Sequence, residues 1–438
     1  MDKMRLLEHQ KKVLEDTKEH NRVAYYLDMG LGKTFVGSEK AISFGADILL
    51  VCQKSKIADW KEHFFTYYID HTKCDESGAW CYDLTTEMGM DMFFHSRYKI
   101  KIGIINYELA FRRMQLLSLH DFTLMLDESS LIQNESAKRT KFIMQLQPKN
   151  IILLSGTPTG GKYENLYSQL HLLGWEISKD LYWKQYVETE WVETSDGYFR
   201  KDVVGYKNVD RLKDKLAAHG AVFMKTSDAG ITLPPMNKIQ LKVPVTKEYK
   251  KFRKTKLIEI EGKELVGDSV LTDMLYQRML CGQYNQDKLE AFKDLAESTE
   301  ERLLVFYNFN DELEKLKAIA EELEKPISIV NGEIKDTKNF EKFSNAILFG
   351  QYQASSMGLN LQSCWQTVYF TLPLSSELFE QSHARTNRIG QKQPCFYYYL
   401  MCEGSIEEHI LETLNLRKDY TDELFKRYNQ ENDKKTKK

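Results

Sequence analysis

The sequence is poor in residues that break or staple a chain. It has 8 prolines and 23 glycines in 438 residues, too few for a linker-like or disordered polypeptide. The seven cysteines are an odd number with no repeated pair spacing, which excludes a disulfide framework. Cys74 and Cys81 lie near His63 and His71, but no second pair completes a zinc site. The cysteines therefore read as reduced structural thiols. No run of 18 apolar residues occurs, which excludes a membrane-spanning helix. Met1 to Gln10 lacks the apolar core of a secretory leader, and the expectation is a cytoplasmic protein. A net charge of −3 excludes a histone-like basic protein, though not a local basic groove for nucleic acid.

What is present suits a globular chain: 42% hydrophobic and 29% charged residues, in a length that suggests two to four domains. Ile48–Cys52, Ile102–Asn106, Phe122–Asp127 and Asn150–Gly156 are continuous apolar runs that end in polar or small residues. Such runs predict strands buried on both faces, in a parallel sheet covered by helices. The pattern returns after Pro234 and Pro235, at Arg302–Phe309, Ile327–Gly332, Ala346–Gln351, Thr367–Leu372 and Phe396–Met401. The expectation is two α/β lobes in tandem, residues 1–230 and 231–438. A helical, aromatic-rich insertion is expected at about 162–220, and a helical segment at about 245–297. The insertion reads either as an accessory lobe with its own small core or as a stacking surface for bases.

Four motifs carry chemistry. In Tyr26–Thr34, YLDMGLGKT, Gly30 and Gly32 let backbone amides approach a phosphate. Lys33 would reach the β and γ phosphates, and Thr34 offers a hydroxyl to Mg²⁺. The strict pattern wants a glycine where Leu27 stands. In Leu124–Ser130, LMLDESS, an apolar strand delivers Asp127 and Glu128, one to hold a metal and one to polarise water. In Leu154–Pro158, LSGTP, small hydroxyl residues could couple those acids to a moving part. In QSHARTNRIGQ, Gln381, Arg385 and Arg388 are spaced by four and three, which predicts one helical face presenting guanidinium groups to a phosphate.

In this order the motifs resemble those of the superfamily-two helicases, and among them the Swi/Snf-related branch of DNA-dependent ATPases, in a compact bacterial or phage form. The resemblance rests on MGLGKT, VCQKSKIADWKEHF, INYE, LDESSLIQNESAKRTK, LLSGTPTGGKYENLYSQL, MGLNLQSCWQTVYF and RTNRIGQ. It spans roughly residues 5 to 412. The resemblance implies two tandem RecA-like parallel-sheet lobes with helical insertions, and ATP and Mg²⁺ as cofactors. It places Gln10 at the adenine, and Met29, Gly30, Leu31, Gly32, Lys33 and Thr34 around the phosphates. Thr34 and Asp127 would hold the metal and Glu128 would activate water. Gly358, Gln381, Arg385 and Arg388 would complete the site from the second lobe. Ser55, Asn106 and Asn360 fall in motifs that track the DNA backbone. The implied partner is double-stranded or branched DNA, with replication or repair proteins, for a monomer working in a bacterial host's DNA replication, recombination or repair. The alternatives are a strand-separating helicase, a degenerate DNA-binding module, and a P-loop kinase or transport ATPase. The sequence departs from the family at Ser129 and Ser130, at Gln53, at Ser355 and Ser356, and at Met224, Lys225 and Thr226.

Overall fold

The computed structural model describes residues 6–69, 78–193, 198–355 and 361–425. The chain forms two compact units, residues 1–231 with 419–438, and residues 232–418.

The first unit is built on strands β1 (Arg22–Leu27), β2 (Ile48–Cys52), β3 (Ala79–Asp83), β4 (Ile100–Asn106), β5 (Thr123–Asp127) and β6 (Asn150–Ser155). A separate hairpin, β7 (Val187–Glu193) with β8 (Phe199–Tyr206), precedes β9 (Ala221–Met224). The sheet runs β3-β4-β2-β5-β6-β1-β9, and all its pairs are parallel. Every residue of β2 and of β6 is buried. Alternate side chains serve opposite faces: Ala24 and Tyr26 join one core, and Val23, Tyr25 and Leu27 the other. Helices α1 (Glu8–Asp16), α2 (Lys33–Ser43) and α3 (Ile57–Tyr67) contribute Val13, Val36, Trp60 and Phe64 to that second core. Gly37 lets α2 lie close on the sheet, because a Cβ there would meet Leu154 Cδ1 at 2.9 Å and Met125 Cε at 3.0 Å.

The second unit carries β10 (Met236–Val243), a hairpin of β11 (Leu257–Ile260) and β12 (Lys263–Val266), then β13 (Leu303–Tyr307), β14 (Ile327–Val330), β15 (Lys335–Asp336), β16 (Ile347–Gln351), β17 (Gln366–Tyr369) and β18 (Cys395–Cys402). Its sheet runs β10-β18-β17-β13-β16-β14-β15 and is parallel except at β14–β15. Two parallel-sheet α/β lobes with helical insertions are thus the architecture.

Both stretches expected to be helical also contain a hairpin. The period-two patterns VETEWVE and FRKDVVGY, rich in β-branched and aromatic residues, favour strands. In the second unit Glu261 (φ 49°) and Gly262 (φ 72°) supply the two left-handed positions that close a two-residue hairpin turn between Ile260 and Lys263. The aromatics of the insertion divide in two. Trp175 and Trp183 pack on the first unit's core. Trp191, Tyr198 and Phe199 on the hairpin are 68%, 77% and 66% exposed.

The six described cysteines Cys52, Cys81, Cys281, Cys364, Cys395 and Cys402 are free and buried, in keeping with structural thiols; Cys74 and His71 lie outside the described residues. His63 meets Ser38 Oγ at 3.1 Å, and burial pulls its pKa down to about 4, so it is a neutral core histidine.

Candidate nucleotide site

In a parallel sheet all strands end on one edge, where α/β folds bind ligands. The first unit's strands place five motif segments along that edge. They are the Asp28–Gly32 loop after β1, Gln53–Lys56 after β2, Asn106 and Tyr107 at the end of β4, Asp127 and Glu128 at β5, and Gly156–Thr159 after β6. β1, β6 and β5 are consecutive neighbours, so the glycine loop, the small-residue turn and the acids adjoin.

Gly32 has φ 78° and ψ 38° and caps α2 with no side-chain hydrogen bond. The left-handed backbone suits glycine, and the uncapped amides of an eleven-residue helix make an anion site. Gln10 closes over this turn. Its Nε2 donates to Leu31 O at 3.1 Å, its Oε1 accepts from Leu7 N at 2.9 Å, and a Cβ on Gly32 would be 2.2 Å from Nε2. Any larger residue at position 32 would therefore displace Gln10. Lys33 Nζ donates to Leu27 O at 2.8 Å and to Asp28 O at 3.3 Å, so its ammonium lies back in the loop. A Cβ on Gly156 would meet Lys33 Nζ at 3.2 Å and Met29 Cγ at 3.3 Å, which puts LSGTP against the lysine. The loop fits a polyphosphate: a helix start with no side-chain cap, an ammonium held by carbonyls that a phosphate could replace, and Thr34 one residue on.

Asp127 ends β5 and Glu128 follows it. Trp60 Nε1 donates to Asp127 Oδ2 at 2.8 Å, and Tyr107 Oη donates to Asp127 O at 2.9 Å. Burial pushes the Asp127 pKa up, while the Trp60 bond and the charges of Lys56 and Lys33 pull it down. Glu128 adopts φ 51° and ψ 61°, a strained conformation for a residue with a side chain. With Thr34, Asp127 is the oxygen donor that could hold Mg²⁺.

A buried glutamine that the motifs did not single out ties these parts together. Gln169 Oε1 accepts from Ser129 Oγ at 2.8 Å and from Tyr26 Oη at 3.0 Å, and its Nε2 donates to Pro158 O at 2.8 Å. Ser129, where the family departs, thus binds β5's acid segment to LSGTP through Gln169. Of the residues expected to track DNA, Ser55 is half-buried in the turn Lys54–Lys56. Asn106 is buried, with its Nδ2 donating to Glu108 Oε2 at 2.8 Å. Gly358 and Asn360 lie outside the described residues.

In the second unit, Gln381 lies on the helix Ser376–His383, where its Nε2 donates to Glu377 Oε1 at 3.3 Å. The helix ends there, so Arg385 and Arg388 do not share a helical face with it as their spacing suggested. Thr386 and Asn387 are poor helix formers with side chains engaged elsewhere. Thr386 meets Tyr397 Oη at 3.1 Å and Asn387 Nδ2 donates to Pro234 O at 2.8 Å. Gln391 Nε2 donates to Gln362 O, Cys364 O and Thr386 O and pins the turn that carries both arginines. Arg385 is buried, and burial lowers the Arg388 pKa.

Comparison with known proteins fits this arrangement. The chain is 22% identical to a CHD3-type chromatin-remodeling factor of Arabidopsis thaliana, over 88% of this chain and 34% of that one. It is 23% identical to a SWI/SNF-related matrix-associated actin-dependent regulator of chromatin subfamily A-like protein 1 of Xenopus laevis, over 87% and 40%. The chain spans about a third of the length of the curated relatives it matches. A solved Sulfolobus solfataricus SWI2/SNF2 ATPase core in complex with dsDNA aligns with 96% of this chain and 93% of that chain, at 19% identity and a TM-score of 0.43. The family profile described as the SNF2-related domain matches residues 6–289, and the chain belongs to that family.

Proposed function

We propose that the chain is the motor core of a DNA-dependent ATPase, which hydrolyses Mg²⁺-ATP and uses the energy to move on or remodel DNA. One observation carries the reading: Lys33 and the Asp127–Glu128 pair stand on one sheet edge, with LSGTP packed against the lysine. Lys33 and the α2 amides would bind the phosphates, Thr34 and Asp127 would hold the metal, and Glu128 would orient water. The resemblance assigns the guanidinium groups of Arg385 and Arg388 and the neutral amide of Gln381 to the same reaction. The names of the relatives point to chromatin; the component proposed for this chain is the duplex itself. The resemblance to a compact bacterial or phage form supports a place in replication, recombination or repair in a bacterial host. The test is steady-state ATPase with no nucleic acid and with single-stranded, double-stranded and branched DNA. Duplex or branched DNA should stimulate the wild type. Lys33→Ala should lose about 10²-fold or more of turnover, the cost of one preorganised charge on a transferring phosphoryl group. A folded Lys33→Ala protein with near wild-type turnover would sink the reading.

A second reading, strand separation, is favoured by the β7–β8 hairpin. Register places Trp191 opposite Lys201, Phe199 opposite Glu193, and Val203 opposite Thr189 on one face. The opposite face carries the Arg200–Asp202 pair. A cavity of about 670 Å³ at the hairpin's root is lined by Lys184, Lys201 and Lys207 along with Asp180, Trp183 and Glu188. Unwinding of a forked substrate separates this reading from duplex translocation.

A further inference from the structure

We propose that Trp60 and Tyr107 are positioning residues for Asp127, and that through them the two segments expected to touch the DNA backbone set the metal-holding carboxylate. Asp127 is held at both its polar ends: the indole N–H of Trp60 engages carboxylate Oδ2 at 2.8 Å, and the Tyr107 hydroxyl engages the main-chain carbonyl at 2.9 Å. An indole nitrogen is a donor only, so Trp60 holds one carboxylate oxygen in place, and the backbone N–H of Glu128 also bonds this carboxylate.

The two donors are themselves rigid. Trp60 is 3% exposed and Tyr107 is 0% exposed. The Trp60 ring stacks on Phe64 at 5.8 Å and meets His63 edge-on at 5.6 Å; His63 is in turn held by Ser38 of α2 at 3.1 Å. Trp60 therefore links the helix that begins at the glycine loop to the acid at the end of β5.

Each donor is also attached to a segment assigned to DNA. Ser55 lies in the turn Lys54–Lys56, which runs directly into α3 at Ile57, and Trp60 sits one turn along that helix. Tyr107 is the residue after Asn106. A shift of either segment on meeting a phosphate backbone would move a donor bonded to Asp127. The DNA-tracking segments thus reach the metal ligand without passing through the second unit.

A plain packing role predicts something different. A buried indole needs a partner for its N–H, and on that view Asp127 merely supplies one. Loss of the bond would then cost stability and leave the response to Mg²⁺ unchanged. Groups that hold a metal ligand from behind typically govern 10–100-fold in metal affinity or activity.

The inference rests on the ATPase reading above, and its test is separate. Trp60→Phe keeps a ring and loses the donor; Tyr107→Phe loses only the hydroxyl. The first readout is binding of a fluorescent ADP in EDTA and across a Mg²⁺ titration. Trp60→Phe should bind as the wild type does in EDTA, and should need about tenfold more Mg²⁺ to gain affinity. The second readout is ATPase with and without duplex DNA. Trp60→Phe should lose kcat in that same range and recover part of it at high Mg²⁺, and Tyr107→Phe should show a reduced ratio of DNA-stimulated to basal rate. A Mg²⁺ dependence and a stimulation ratio within twofold of the wild type in both variants would overturn the proposal. So would a lowered melting temperature with an unshifted Mg²⁺ dependence. A wild type with no ATPase under any condition would instead overturn the reading on which it rests.

Discussion

Glu128 bears the strain of the candidate site, with a left-handed backbone at φ 51°. A residue kept in that region points to a demand on where its side chain sits. Glu128→Gln keeps the shape and loses the base, so it should bind ATP with unchanged affinity and hydrolyse it at least about 10²-fold more slowly. Nucleotide titration alongside single-turnover hydrolysis checks this. A second carboxyl gives a pH dependence. Glu312 is fully buried, and burial pushes its pKa up to about 7 against the N–H groups of Asn308 and Phe309, the Thr371 hydroxyl and the Lys288 charge. The folded chain then holds a proton that the unfolded chain releases near pH 4.5. Stability from this group is full below that pH, falls as the pH rises toward about 7, and is level above. Glu312→Gln cannot ionise, so its melting temperature should change less than the wild type's between pH 5 and pH 8. At this scale the sequence was legible in placement: the segments of Lys33, Thr34, Asp127 and Glu128 all come to one sheet edge. Gln169 was not, because one amide inside LYSQL has no pattern of its own and gains its role only when three strands bring Tyr26, Ser129 and Pro158 to it.

The strands most legible as elements were those buried on both faces. Ile48–Cys52 forms as expected, and Asn150–Ser155 and Ile347–Gln351 fall within a residue of expectation, because a parallel strand under two layers of helix is a plain apolar run. β3, β9 and β10 were missed. Each lies at an edge of its sheet: β9 is buried but only four residues long, and β10, MNKIQLKV, is mostly exposed. The arginine turn failed for another reason: spacing alone cannot detect that Thr386 and Asn387 are bonded out of the helix. The hairpin and the helix before it answer different questions in one experiment. Trp183 packs on the core, so Trp183→Ala should cost roughly 2 kcal/mol or more of stability. Trp191→Ala and Phe199→Ala should leave the melting temperature near the wild type's and weaken forked or single-stranded DNA by ~1–3 kcal/mol per lost stack, if bases stack there. Melting curves and binding isotherms on the same three proteins decide it.

For the whole molecule the notable fact is that the first unit is discontinuous in sequence, taking in residues 419–438 after the second unit has been completed. The return is specific. Tyr163 Oη donates to Tyr420 O at 2.9 Å, the Tyr420 ring meets Tyr206 at 4.9 Å, and Lys225 Nζ pairs with Asp422. A chain ending at residue 418 should therefore show a lowered transition for the first unit and an unchanged one for the second, read by calorimetry. On the role proposed for Arg388, presenting a guanidinium to the phosphate, Arg388→Ala should lower DNA-stimulated turnover by about 10³ or more with ATP affinity little changed, read by steady-state ATPase and nucleotide titration. The returning segment also orders events on the ribosome. At 5–20 residues per second, the 187 residues of the second unit, 232–418, take roughly ten to forty seconds to make. Throughout that interval the nascent first unit holds Tyr163 and Tyr206 without their final cover. Of the two units, the one synthesised first is thus the one finished last, and a nascent-chain chaperone would have its longer window there.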